Sequence, residues 1–218
     1  MNFSSWLSQL DFSIFYVLGL SALASLLSIT VHESAHGLAA YAMGDPTAKN
    51  MGRISLNPLK HIDPLGFVML VVAHVGWAKP VPIDARYFKS PRRGMAISAL
   101  AGPVSNILLA FIALCLYYWC LVRNPDGYFA MFVYQLAMIN CGLAVFNLIP
   151  IPPLDGSKVL FAMLSERTYW KLMRYERYAM PVLIGLVFFG VLDGFVTTGI
   201  NRIVNMLWRT VIAIFSVF

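Results

Sequence analysis

Three long stretches of this chain carry no charged residue: residues 12–31, 94–122 and 127–154. Each reaches the ~20 residues that a helix needs to cross the hydrocarbon of a bilayer. A chain with such runs cannot fold as a water-soluble globule without burying all of them at once. Two further runs follow, residues 178–201, interrupted by Asp193, and residues 203–218, interrupted by Arg209. Residues 64–78 are apolar but shorter and contain His74, which reads as a re-entrant or interfacial segment. The composition agrees, with 59% hydrophobic and 12% charged residues against about a quarter charged in soluble domains. The expected fold is an all-α polytopic membrane protein, a bundle of about five to six membrane segments. It forms a single domain over residues 1–218, with a core at about 12–164 and peripheral C-terminal helices at about 178–218. A small membrane-associated β or loop region is expected around residues 48–90.

The first run leads straight into His32-Glu33-Ser34-Ala35-His36. Residues four apart share a helix face, so His32 and His36 can reach one metal ion, and Glu33 beside the first ligand can act as a base toward water. A charged residue in an apolar helix costs roughly 2.5–3.5 kcal/mol at mid-membrane, so placing three such groups there argues for a functional site. Because the run ends in this motif and lacks a basic leader, it is not read as a removable signal peptide. The first helix is expected to continue to about Met43, where Gly44-Asp45-Pro46 ends it. At 1.5 Å per residue, His36 then lies roughly 11 Å and His32 roughly 17 Å before that end, inside the bilayer.

The net charge of +6 is not a nucleic-acid signal, because its location explains it. Lys49, Arg53, Lys60, Lys79, Arg86, Lys89, Arg92 and Arg93 fall between the first two long runs, and Arg167, Lys171, Arg174 and Arg177 follow the third. Two spans separate these basic loops, so both can face the cytoplasm as the positive-inside rule prefers. The implied location is the inner (plasma) membrane, with the site nearer the cytoplasmic side. Cys115, Cys120 and Cys141 all lie in the apolar runs without metal-type spacing and read as packing residues.

A catalytic zinc site needs a third protein ligand and one open position. His61, His74, Asp155 and Asp193 are the candidates. Asp155 has the strongest context, the broken stretch Asn147-Leu148-Ile149-Pro150-Ile151-Pro152-Pro153-Leu154-Asp155-Gly156. Interrupted backbone at membrane depth is tolerated where it is buried or lines a cavity. The plainer role for Asp155 is the N-cap of a helix starting near Ser157. His61, in a polar loop, reads as a solvated or capping residue.

With these residues in place, the chain resembles the site-2 proteases, intramembrane zinc metalloproteases, and is similar to their compact bacterial and archaeal members without a PDZ domain. The resemblance covers roughly residues 28–164. It rests on the histidine motif and on Asn147 to Gly156, together with Ala101-Gly102-Pro103-Val104-Ser105-Asn106, Gly44–Ala48 and Gly76–Pro82. It implies one zinc per chain held by His32, His36 and Asp155, with Glu33 as general base. It also implies single-span membrane proteins or membrane peptides as substrates.

Asn106 and Asn147, polar groups deep in apolar runs, are candidates for substrate or oxyanion contacts. Asn140, seven residues before Asn147, is as well suited to an interhelical hydrogen bond. A transmembrane substrate must unwind before its carbonyls can be attacked. Residues 51–57 alternate and residues 77–84 have proline-spaced extended character, so this region could form an edge strand that receives it, or simply a loop that closes the cavity. The competing function is divalent-metal transport, in which intramembrane His and Asp are also expected. The absence of a PDZ-sized insertion removes one obvious means of choosing a substrate.

Overall fold

A computed structural model describes residues 13–63, 66, 78–165, 168 and 176–216. His74 and most of the expected re-entrant segment, the basic residues Arg167, Lys171 and Arg174, and the first twelve residues lie outside them. Among the described residues there are seven α-helices: α1 (Ser13–Ala42), α2 (Thr47–Asn50), α3 (Pro91–Arg123), α4 (Tyr128–Asn147), α5 (Asp155–Met163), α6 (Glu176–Phe188) and α7 (Asp193–Phe215). Two short 3-10 turns, Pro58–Lys60 and Ala85–Tyr87, lie between α2 and α3.

α1, α3 and α4 are each long and apolar enough to cross a membrane. They pack on one another through small side chains. Ala24, Ala110, Ala113 and Ala137 are buried where the helices meet, and such residues let backbones approach closely. The large apolar side chains point the other way: Leu18, Leu38, Val104, Leu108 and Ile112 are exposed on the outside of the bundle. This inversion is what a lipid solvent permits, because leucine gains little by leaving hydrocarbon for a protein interior. Cys141 is buried in the helix interface and Cys115 packs against it, as expected of packing residues.

Polar side chains hold the α1–α4 seam. Ser21 Oγ donates to Gln135 Oε1 at 3.0 Å, and Asn140 Nδ2 donates to Ser28 Oγ at 2.7 Å. Asn140 is therefore a bundle residue. α1 ends where the sequence signals it. Gly44 has φ +105°, and Asp45 N–H reaches back to the Ala40 carbonyl at 3.0 Å, a geometry that glycine adopts without steric cost.

The C-terminal third departs from expectation. The break falls at residues 189–192, before Asp193, so α7 runs unbroken through Arg202 and Arg209. α6 and α7 meet at 81°, and taken together as one bent element they are long and apolar enough to make a fourth span. Gly190, at φ +67°, makes the corner. The alternating stretch 51–57 is a loop and not a strand; among the described residues the β structure is a single antiparallel bridge between Ile62 and Ala78.

Candidate metal centre

α1 places His32 and His36 one turn apart, both buried. The chain leaves α4 at Asn147, passes through the proline-rich turn and starts α5 at Asp155, which brings that carboxylate over the two imidazoles. Asp155 Oδ2 lies 3.2 Å from His32 Nε2 and 3.1 Å from His36 Nε2, and the two Nε2 atoms are 3.0 Å apart. Asp155 is the first residue of α5, with Leu154 at the cap position. The N-cap role is thus taken by its neighbour, and the Asp155 side chain is left for the histidines.

These three donors fit a zinc ion. Tetrahedral bonds of about 2.0–2.1 Å set donor atoms roughly 3.3 Å apart, close to the observed spacing. His36 Nδ1 lies 2.7 Å from the Ser98 carbonyl. A carbonyl only accepts, so Nδ1 carries the proton and the Nε2 lone pair faces the centre, the usual arrangement of a ligating histidine. Among the described residues, His32, His36 and Asp155 are the one group of three His, Cys, Asp or Glu side chains close enough to hold a metal.

The other candidates sit elsewhere. His61 is buried, not solvated, and its Nε2 lies 2.8 Å from the Ser55 carbonyl. Asp193 is exposed at the start of α7. Glu33 is next to the donors but outside their set. Its Oε2 accepts from the Val81 backbone N–H at 2.9 Å, and its side chain lines a cavity of about 250 Å³ together with His32 and Asn147. Asn147 also bonds back to the Leu143 carbonyl. Asn106 is fully buried on α3, with neither amide atom hydrogen-bonded.

α3 forms the wall behind the histidines. Ser98 Oγ donates to the His36 carbonyl while its own carbonyl receives the imidazole. At Gly102 a Cβ atom would lie 2.5 Å from His32 Cε1 and from His36 Nε2, so only glycine leaves room for both rings. On the other side the cavity is lined by Met180, Leu183, Ile184 and Val187 of α6. Sequence reading missed Lys158, whose Nζ sits 3.2 Å from Asp155 Oδ1 and leaves Oδ2 for the histidines. A basic residue one helical turn after a carboxylate was the available signal. The Ser98 carbonyl had none, since every residue offers one.

The chain is also similar in sequence to known proteins. Residues 123–190 match Peptidase family M50. The chain is 36% identical over 190 residues to "Putative zinc metalloprotease YwhC" of Bacillus subtilis, covering 81% of this chain and 85% of that protein. It is 30% identical over 188 residues to "Putative zinc metalloprotease Rip2" of Mycolicibacterium smegmatis, covering 81% of this chain and 66% of the relative. A shorter match, 32% over 88 residues, joins it to "Zinc metalloprotease MJ0392" of Methanocaldococcus jannaschii, over 40% of this chain and 25% of that protein. No solved structure matches.

Proposed function

Because this chain belongs to peptidase family M50, the membrane-bound zinc metalloproteases of site-2 type, we propose that it hydrolyses peptide bonds of single-span membrane proteins or membrane peptides inside the bilayer. The observation that carries this reading is the buried His32–His36–Asp155 triangle with an unligated carboxylate, Glu33, facing the adjoining cavity. One zinc per chain is held by the triangle. When bound, it supplies a Lewis acid that polarises a carbonyl and acidifies water.

The chain's own groups do the rest. Glu33 takes a proton from the attacking water and returns it to the leaving nitrogen. Asp155 and the two histidines keep their donor atoms fixed, with Ser98 and Lys158 orienting the outer atoms of His36 and Asp155. The cavity is lined mostly by apolar side chains, so it admits an unwound stretch of apolar helix and keeps bulk water out. Asn147, which lines the cavity, is the amide proposed for a substrate or oxyanion contact, whereas Asn106 is fully buried on α3 and is not among the cavity-lining residues. Metal transport is the weaker reading, since a carrier has no use for a carboxylate beside the donor set but outside it.

Mutation separates the two. Glu33→Gln should keep zinc by metal analysis and lose cleavage of a single-span test protein by about 10²–10⁴-fold. Asp155→Ala should lose zinc where Asp193→Ala keeps it. A Glu33→Gln protein that cleaves at the normal rate points to transport.

The basic loops further support a cytoplasmic opening, so that cleavage releases the substrate's cytoplasmic part. A cysteine at Lys60 should react with membrane-impermeant reagent only from the cytoplasm, and one at Asn124 only from outside. Labelling of both from one side defeats that orientation.

A further inference from the structure

The loop between α2 and α3 does more than close the cavity. Its stretch Lys79-Pro80-Val81-Pro82 has two backbone N–H groups, because proline has none. Lys79 N–H donates to the His61 carbonyl at 2.9 Å, and Val81 N–H donates to Glu33 Oε2 at 2.9 Å. No amide in this stretch is left to pair with an incoming substrate strand. Two of its four carbonyls are held as well. The buried Arg53 donates through Nη2 to the Lys79 carbonyl at 2.7 Å and to the Pro80 carbonyl at 3.3 Å. The same loop is pressed onto α1 one turn past Glu33, where a Cβ on Gly37 would lie 3.1–3.2 Å from Ile54, Ala48 and Val81. Arg53 thus stands beside Ile54 at the point where the loop meets the helix, and grips the residues just before the amide that holds the catalytic carboxylate.

We infer that Arg53 is a positioning residue for the general base: it clamps residues 79–80 so that the Val81 amide fixes Glu33 toward the cavity. The stretch 79–82 is then a brace for catalysis and not an edge strand for substrate. This rests on the reading of Glu33 as base. A carboxylate with one oxygen tied to a fixed amide keeps the other free and aimed, and a displacement of about 1 Å at such a group can cost 10²-fold in rate.

The test uses the full-length protein in detergent and a synthetic single-span helix carrying a fluorophore and quencher. Arg53→Met should lower kcat about ten- to a hundredfold, with KM and zinc content unchanged. Arg53→Lys, whose ammonium can still donate to both carbonyls, should recover most of the rate. Val81→Pro removes the amide and leaves Arg53 in place, so it should reproduce the kcat loss even if Arg53→Met folds poorly. In the Glu33→Gln background, neither change should lower the residual rate further. A rise in KM at constant kcat would make the stretch a substrate edge and overturn the inference, as would equal losses with and without Glu33 or full kcat in Val81→Pro. If Glu33→Gln alone cleaves normally, it is the general-base reading that fails, and that outcome is distinct from all of these.

Discussion

The metal centre has two unlike walls. On the α3 side everything is in contact: Gly102 leaves no room for a methyl group beside the imidazoles, and Ser98 exchanges hydrogen bonds with His36 through both its carbonyl and its hydroxyl. On the α6 side there is a cavity of about 250 Å³, and the helix facing it contains Pro181 and leads into the 81° corner at Gly190. Leu183 is the buried anchor of α6, against Ile149 and Leu154, while Met180 and Ile184 stay exposed. Donor atoms need sub-ångström placement, which dense packing supplies. A substrate backbone needs space. The protein gives the two demands to different helices, α3 and α6, with His32 in contact with both the packed wall and the cavity.

The strongest way to break this contrast is to intrude on the packed wall. Gly102→Ala should expel the metal, because the new methyl group would overlap both rings and α3 cannot retreat without uncoupling Ser98 from His36. Loss of outer-sphere support alone costs roughly 10–100-fold in metal affinity. Direct overlap should exceed that, leaving little zinc after dialysis against a weak chelator. Retention of stoichiometric zinc by this variant would mean that the wall yields more than its contacts imply.

A substitution of similar bulk on the open wall should act differently. Ile184→Trp fills cavity volume without touching a donor atom. Zinc content should be unchanged, and kcat/KM for a single-span substrate should fall about tenfold, or ~1.4 kcal/mol of transition-state stabilisation. If zinc is lost instead, the cavity side is part of the metal's support and the two walls are not distinct.

The packed wall was partly legible in the sequence, and the open wall was not. His32 and His36 announce themselves because helical periodicity is local, and a four-residue spacing guarantees a shared face wherever the helix goes. Asp155 could be chosen over Asp193 because three prolines at membrane depth mark a break that must line something. Gly102 stood in a recognisable stretch, yet its purpose is a distance between helices that no local pattern contains. α6 was placed beyond the core, because its role depends on the corner at 189–192. Interruption by Asp193 suggested a break inside a continuous span, whereas Asp193 in fact opens α7. The alternation at residues 51–57 suggested a strand. There the tertiary pull of Arg53, Ile54 and Ser55 onto neighbouring backbone and α1 overrides it.

The smallest expected effect lies on the fixed side but away from the chemistry. Asn140 and Ser28 join α4 to α1 at 2.7 Å, and the bond is buried. In a bilayer such bonds average about 0.6 kcal/mol and reach about 1.7, since the separated helices find other partners. Asn140→Leu removes the donor but keeps the bulk, and leaves the Ser28 hydroxyl its bond to the Ala24 carbonyl. Stability in detergent should therefore fall by about 1 kcal/mol, read from thermal unfolding, while zinc content and cleavage rate stay level. That outcome would locate the stiffness of the packed wall in α3 and its glycine, with the α1–α4 seam contributing stability alone. A matching drop in cleavage rate would instead make the seam part of what holds His32 and Glu33 in line, and the boundary between the two walls would then move to α4.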